Sequence, residues 1–270
     1  MKPAPFRYHR PESLEEALEL LREHGDEAKV LAGGQSLVPL LNMRLARPAV
    51  LVDLNRVGGL DRIEANGDVR IGALVRQREL ERSSLPLVAE AMPHVGHLVT
   101  RNRGTVGGSI AHADAAAELP LCLAVLGGTV VARSAAGERR IPAEEFFVTH
   151  FTTRLAPDEL VVETVWPSPG PGWVFAFEEL AQKRGDFALA MAACALRIED
   201  GRVAEARVGI GSVVERPTLL ETGLVGNVPA PELLRVEVEP FDTVHASAAY
   251  LRHLTGVLVE RAVLRAWRNA

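Results

Sequence analysis

Apolar residues recur at helical spacing over residues 13–24, where Leu14, Ala17, Leu18 and Leu21 share one face. Ser13, with Glu16 three positions on, has the pattern of a capping box, and Gly25 supplies a stop. A short strand at 29–32 follows, then a Gly-rich turn at 33–36, a short apolar helix or turn at 37–44 and a strand at 49–53. That order is an α/β unit. The alternation restarts with a strand at 69–73, entered from the turn sequence Asn66-Gly67-Asp68. Helices are predicted at 75–83 and 85–97, and a second glycine turn at 105–109. A helix at 115–126, capped by Asp114 and closed by Gly127 and Gly128, leads to a hairpin of 129–134 and 138–142.

The densest Pro/Gly cluster, residues 167–172, marks the natural domain boundary. Beyond it, 174–180, 188–199 and 203–214 read as strands, with Asp200-Gly201 as a hairpin turn between the last two. The chain closes on a helical segment, 243–268, with Ala246, Tyr250, Leu254 and Val257 on one stripe. The fold class is α+β, without a solenoid repeat. At about 150 residues per domain, 270 residues make roughly two domains.

Composition narrows the function classes. Lys plus Arg number 30 against 35 Asp plus Glu, a formal charge of -5, which argues against affinity built on phosphate neutralisation of nucleic acid. The most apolar stretch, 115–131, is broken by Glu118, Pro120, Gly127 and Gly128, so no membrane span is expected. The N-terminal residues have no apolar core of a secretory signal, and a cytoplasmic location is expected. The two cysteines, Cys122 and Cys194, are too few for an iron–sulfur cluster or a four-thiolate zinc site and read as reduced core thiols.

Two segments carry chemistry. In Ala32-Gly33-Gly34-Gln35-Ser36, paired glycines let the backbone turn tightly and bring its amides close to a ligand. Successive amides there make either an ordinary tight turn or a nest for a phosphate or pyrophosphate. The segment 101–114, with Thr105, Gly107, Gly108 and Ser109, repeats the pattern about 70 residues on. Two such cradles can grip one extended dinucleotide from opposite sides, or be unrelated loops. No P-loop, Rossmann fingerprint or nucleophile elbow is present. Gly209-Ile210-Gly211 reads as a bulge or a close-packing site, and His112 with Asp114 does not suffice for a metal.

These residues carry a resemblance. AGGQSL at 32–37, LVDLNRV at 51–57 and IGA at 71–73, with RNRGTVGGSIAHADAAAELP at 101–120, resemble the FAD-binding medium subunit of the molybdenum hydroxylases, the family of xanthine dehydrogenase and aerobic carbon monoxide dehydrogenase. KRGDFALA at 183–190, RVGIGSVVERP at 207–217 and ASAAYLRHL at 246–254 are similar to its C-terminal domain, so the likeness spans nearly the whole chain. It implies a FAD-binding domain over 1–167, made of two α/β subdomains at about 1–55 and 56–167. A C-terminal domain over 173–270, a small antiparallel sheet plus a helix bundle, follows.

The resemblance also implies roles. Ala32, Gly33, Gly34, Gln35 and Ser36 would wrap the FAD pyrophosphate, with Thr105, Gly107, Gly108 and Ser109 opposing them. His112 and Asp114 would lie beside the cofactor, and Glu118 would hydrogen-bond a sugar hydroxyl. Val161 would meet the flavin ring through its backbone, and Asp186 would order a loop over that ring. Implied partners are a molybdenum-cofactor large subunit and a small subunit with two 2Fe–2S clusters, in a dimer of heterotrimers. Electrons would pass from those clusters through FAD to an external acceptor. The alternative is a self-contained FAD-dependent oxidoreductase. Two departures stand out. Ala115 replaces the usual Pro at what should be a first helical position, and Glu179 stands where some members carry Lys, placing a negative charge near the flavin.

Overall fold

The computed structural model describes residues 2–270. Its N-terminal layer is a three-stranded sheet in the order Arg7–His9, Val50–Asp53, Ala28–Leu31, with both pairings parallel. Helix Leu14–His24 packs on it through Ala17, Leu18 and Leu21. The Ser13 hydroxyl accepts from the Glu16 amide at 3.1 Å, and the Glu16 carboxylate accepts from the Glu12 amide at 3.0 Å, so the start of this helix is capped from both sides.

The second layer is a five-stranded antiparallel sheet. Its order is Ile63–Asn66, Asp68–Gly72, Leu160–Trp166, Thr129–Ser134, Gly137–Pro142. The expected turn at Asn66-Gly67-Asp68 and the expected hairpin of 129–134 and 138–142 are both present; the turn proves to join a hairpin whose first strand, Ile63–Asn66, was not anticipated. The central strand, Leu160–Trp166, is one that periodicity did not identify, because all but Glu163 of its residues are buried and no alternation shows.

Helices lie between this sheet and the third. The segment expected as helix 75–83 is a 3-10 helix, Gln77–Arg82. The one expected at 85–97 is helix Pro86–Ala91 followed by a 3-10 turn, Met92–His94, since Pro93 provides no amide to continue the α pattern. Helix Glu118–Val125 begins three residues later than expected. Asp114 does not cap it: its carboxylate accepts from the Ala116 amide at 2.9 Å in a local Asx turn, which holds 114–117 out of the helix. Ala115 is therefore not a first helical residue, and a Pro there would not serve as one.

The third sheet is antiparallel, in the order Trp173–Ala181, Ala188–Glu199, Arg202–Gly211, Thr218–Leu219. Asp200 and Gly201, with φ of 48° and 70°, make the hairpin turn. Helix Ala248–Arg268, capped by Ser247, covers one face of the sheet. Its buried side is Leu251, Leu254, Leu258, Ala262 and Ala266. The expected stripe was rotated: Ala246 precedes the helix and Tyr250 is 46% exposed, because the docking sheet and not the apolar count sets the buried face. No helix among the described residues is long and apolar enough to cross a membrane.

The other face of this sheet packs on the helices of the second layer. Phe175, Phe177, Met191 and Ala193 share one core with Leu87, Leu119, Leu123 and Trp166. Gly209 is a close-packing site, as one of its two readings had it: a Cβ there would lie 2.7 Å from Val125 Cγ2. Arg207 adds a polar tie. Its Nε and Nη2 donate to the carbonyls of Val125 and Ala124 at 2.7 and 3.0 Å, at the C-terminal end of helix Glu118–Val125, and Nη2 also meets Glu144 at 2.5 Å. Removing this side chain leaves helix-end carbonyls without their cation. Arg207→Ala is expected to lose roughly 1–3 kcal/mol in chemical denaturation, and Arg207→Lys clearly less. Equal loss in both would assign the effect to packing.

Candidate functional site

The two glycine loops meet. A Cβ on Gly33 would lie 2.4 Å from the Arg103 carbonyl oxygen and 2.8 Å from Gly104 Cα, so loop 33–36 rests directly on the backbone entering the second loop. Gly34 adopts φ of 73°, a turn that glycine enters without strain. Gln35 Nε2 donates to the Gly33 carbonyl at 3.1 Å and closes the turn. Among the described residues, the backbone amides of Gly33, Gly34, Gln35 and Ser36 donate to no protein acceptor. Four successive free donors on one tight loop suit an oxyanion group such as a diphosphate.

The second loop is built differently. Thr105 caps helix Val106–His112, its hydroxyl accepting from the Gly108 amide at 3.1 Å. The Val106 and Gly107 amides donate to the Val75 and Ala73 carbonyls at 3.0 and 2.9 Å, and the Ser109 amide to the Thr105 carbonyl at 3.1 Å. These amides are engaged within the protein. What Thr105 and Ser109 still offer is hydroxyl protons, and what Gly107 and Gly108 offer is absence of bulk. A Cβ on Gly107 would lie 2.4 Å from Ala73 Cβ, and one on Gly108 would lie 2.7 Å from Thr105 Oγ1.

Beyond the cradle, His112 packs on Phe151 with ring centroids 4.8 Å apart, and His150 Nε2 stands 3.9 Å from Asp114 Oδ1. Burial holds the His112 pKa below its usual value, with Asp114 opposing that trend. His150, Asp186, Phe187, Ser212 and Phe241 line a cleft of about 820 Å³. Loop 183–187 is turned by an Asp186 amide to Lys183 carbonyl bond of 3.1 Å, and Gly185 lies against His97. Asp186 thus edges the cleft that His150 also lines, and His150 in turn stands beside Asp114. Val161 is apart from it: its side chain is buried in the core and it pairs with Ala132, and the register shift that follows leaves Val162 as the extra residue, its carbonyl accepting from the Ala73 amide at 2.9 Å.

Glu118, in the first turn of its helix, is 7% exposed. Burial, reinforced by the Glu179 carboxyl, pushes its pKa up to about 8. Burial also pushes Glu179 to about 7. Glu179 Oε2 has no partner among the described residues, and Oε1 is 3.9 Å from His94 Nδ1. The negative charge expected at Glu179 is therefore only partly present near neutrality, since a carboxyl titrating at about 7 is about half protonated there. A protonated Glu118 can donate as well as accept, which suits a hydroxyl partner.

The linkage has a definite sign. A carboxyl at 4.5 in the unfolded chain and about 8 in the folded one leaves the folded state holding the extra proton between those values. Stability contributed at low pH is then lost as pH rises through that window. Glu118→Gln is expected to flatten the fall in unfolding free energy from pH 4.5 to about 8, measured by denaturant titration without cofactor. Parallel curves for the two proteins would refute the raised pKa.

Three side chains escaped the sequence reading: His150, and the pair Asn55 and Arg76, which hold the Ala32 and Arg103 carbonyls behind the glycine loops. Asn55 stands inside the LVDLNRV segment, and its place just past a strand end is the one signal that could have singled it out. Arg76 and His150 had no local signal, since their partners lie far along the chain.

Comparison with known proteins identifies the family. The family described as FAD binding domain in molybdopterin dehydrogenase matches residues 4–169, and CO dehydrogenase flavoprotein C-terminal domain matches 175–266. The chain is 42% identical, over all of its length and 97% of the relative's, to the 6-hydroxypseudooxynicotine dehydrogenase complex subunit alpha of Paenarthrobacter nicotinovorans. Among solved structures it superposes on quinoline 2-oxidoreductase of Pseudomonas putida 86 with a TM-score of 0.94 at 37% identity, covering 100% of this chain and 99% of that one. On carbon monoxide dehydrogenase of Hydrogenophaga pseudoflava the TM-score is 0.95 at 33% identity, covering 99% of each chain. The two matching families and these full-length likenesses agree: the chain belongs to the molybdenum hydroxylase family of carbon monoxide and xanthine dehydrogenases, as its FAD-binding medium subunit.

Proposed function

We propose that this subunit takes electrons from two 2Fe–2S clusters of a small subunit and passes them through FAD to an external acceptor, within a cytoplasmic dimer of heterotrimers. The observation that carries the reading is the run of four free amides at Gly33, Gly34, Gln35 and Ser36, pressed against the second glycine loop. FAD, when bound, supplies the redox chemistry.

The residues divide the remaining work. The 33–36 amides, with the Ala32 peptide and the Ser36 hydroxyl, hold the diphosphate. Thr105 and Ser109 face it with hydroxyls, while Gly107 and Gly108 let the second loop close. Glu118 holds a sugar hydroxyl, and its own proton lets it donate. His112 and Asp114 border the cofactor, the Val161 backbone meets the flavin ring, and Asp186 orders the 183–187 loop. We assign the FAD-binding domain to 1–167, with subdomains at about 1–55 and 56–167, and the C-terminal domain to 173–270. Relatives of comparable likeness carry a nicotine derivative, quinoline and carbon monoxide in their names. That spread fits a subunit that handles electrons and leaves substrate choice to the large subunit.

The test is the absorption spectrum of the purified chain, with the released cofactor identified after denaturation. Flavin bands and free FAD are expected. A colourless protein that takes up no FAD, alone or with its partner subunits, would sink the reading. Turnover of an organic donor by the isolated chain would favour the self-contained enzyme.

A further inference from the structure

One hydrogen-bonded chain runs behind both glycine loops. Tyr8 Oη donates to Asp53 Oδ2 at 2.5 Å. Asp53 Oδ1 accepts from the Asn55 backbone amide at 2.9 Å and from Asn55 Nδ2 at 2.6 Å. Asn55 Nδ2 also donates to the Ala32 carbonyl at 2.9 Å. Arg76 Nη2 donates to Asn55 Oδ1 at 2.9 Å, and Arg76 Nη1 donates to the Arg103 carbonyl at 2.7 Å. Two members of this chain, Asn55 and Arg76, therefore hold the carbonyls that directly precede Gly33 and Gly104.

Peptide planarity gives that grip a direction. The Ala32 carbonyl and the Gly33 N–H belong to one trans peptide unit, so they point opposite ways. Holding the carbonyl toward Asn55 turns the Gly33 N–H away from it, to the side of the loop where no protein acceptor meets it. Arg76 orients Asn55 in turn: a guanidinium on Oδ1 fixes which end of the amide side chain faces Ala32. The same guanidinium reaches Arg103, the residue whose carbonyl lies against Gly33.

We propose that Asn55 and Arg76 are positioning residues that aim the Gly33 amide at the FAD diphosphate and hold the two glycine loops in register. Neither need touch the cofactor. The pair acts by setting the direction of a donor in advance, so that binding does not have to order the loop. The inference rests on the diphosphate reading of the 33–36 loop.

The experiment is titration of FAD into the cofactor-stripped full-length chain, followed by quenching of flavin fluorescence, with the melting temperature of each stripped protein recorded alongside. Asn55→Ala and Arg76→Ala are each expected to raise the Kd about tenfold or more. The double variant is expected to lose clearly less than the product of the two factors, because Arg76 acts largely through Asn55. Arg76→Lys, which keeps the charge but cannot serve both acceptors with one planar fork, is expected to fall between wild type and Arg76→Ala. A purely structural role would lower the melting temperature of the stripped protein and leave the Kd of its folded fraction alone. Kd values within twofold of wild type in both single variants, or full multiplicativity in the double, would overturn the proposal. Failure of the wild-type chain to take up FAD would instead overturn the diphosphate reading beneath it.

Discussion

Gly33→Val is expected to release the flavin. Its Cβ would start 2.4 Å from the Arg103 carbonyl oxygen and 2.8 Å from Gly104 Cα, and both obstacles are backbone. A side-chain tip could swing aside, whereas this backbone is pinned by the Arg76 guanidinium on the Arg103 carbonyl and by the Gly104 amide on the Thr100 carbonyl at 2.7 Å. Loop 33–36 must therefore be the part that moves, and its four free amides move with it. Losing two hydrogen bonds to a charged group costs about 3–6 kcal/mol, so the Kd for FAD should rise at least roughly a hundredfold. The fold should survive, because the loop is at the edge of the three-stranded sheet and the core beneath it is untouched. The check is FAD content after desalting together with the melting curve. Full flavin occupancy in the variant would remove loop 33–36 from the site.

Gly107→Val is expected to fail differently. Its Cβ would meet Ala73 Cβ at 2.4 Å, Ala73 Cα at 2.8 Å and Ala73 O at 2.9 Å, at a position buried from solvent. The clash is inside the molecule, where helix Val106–His112 crosses the end of strand Asp68–Gly72. Relief requires pushing that helix off the sheet, which breaks the Gly107 amide to Ala73 carbonyl bond and opens the core around Val106 and Ile110. Overpacking and a lost buried hydrogen bond together put the cost at roughly 3 kcal/mol or more. Flavin should be lost as well, but through destabilisation, so the stripped variant should already melt well below wild type. Gly256→Ala is the control: nothing lies within 4 Å of its Cβ, and the helix should gain slightly. A Gly107→Val protein of wild-type stability would mean that the helix tolerates displacement. The two glycines look alike in sequence, each in a Gly-Gly pair beside a hydroxyl residue, yet one makes room between loops and the other makes room within a core.

That contrast shows what could be read in advance. Local chemistry was legible at several places where partners lie within a few residues: the Ser13 cap, the Asp200-Gly201 turn and the glycine loops themselves. The strand Ala188–Glu199 came out with its bounds unchanged, because a long apolar run between turn residues has few other readings. Leu160–Trp166 escaped because a short strand buried on both faces lacks periodicity, and Arg7–His9 because a three-residue parallel strand is defined by its neighbour Val50–Asp53 alone. Asp114 was read as a helix cap, since Asp before three alanines fits one; the Asx turn that displaces the cap uses the same residue. At the site, the donors were visible and their supports were not. The Asn55–Ala32 and Arg76–Arg103 bonds join residues more than 20 positions apart, a separation at which no spacing rule operates.

The strand Ala188–Glu199 has a consequence of its own. Met191, Ala193 and Ala195 enter the core shared with the flavin-holding half, while Ala190, Ala192, Cys194 and Leu196 enter the core under the C-terminal helix. With apolar residues on both faces over 190–196, a slip by one position would exchange the two sets of side chains there without burying a charge, and only the end at Arg197 and Glu199 would be carried onto the wrong face. Hydrophobicity over 190–196 thus leaves the alignment of that stretch undetermined. The Asp200-Gly201 turn and the irregularity between Arg197 and Ile198 are the features that count residues, so a single insertion near 197–201 should do more damage than a polar substitution at the strand's far end.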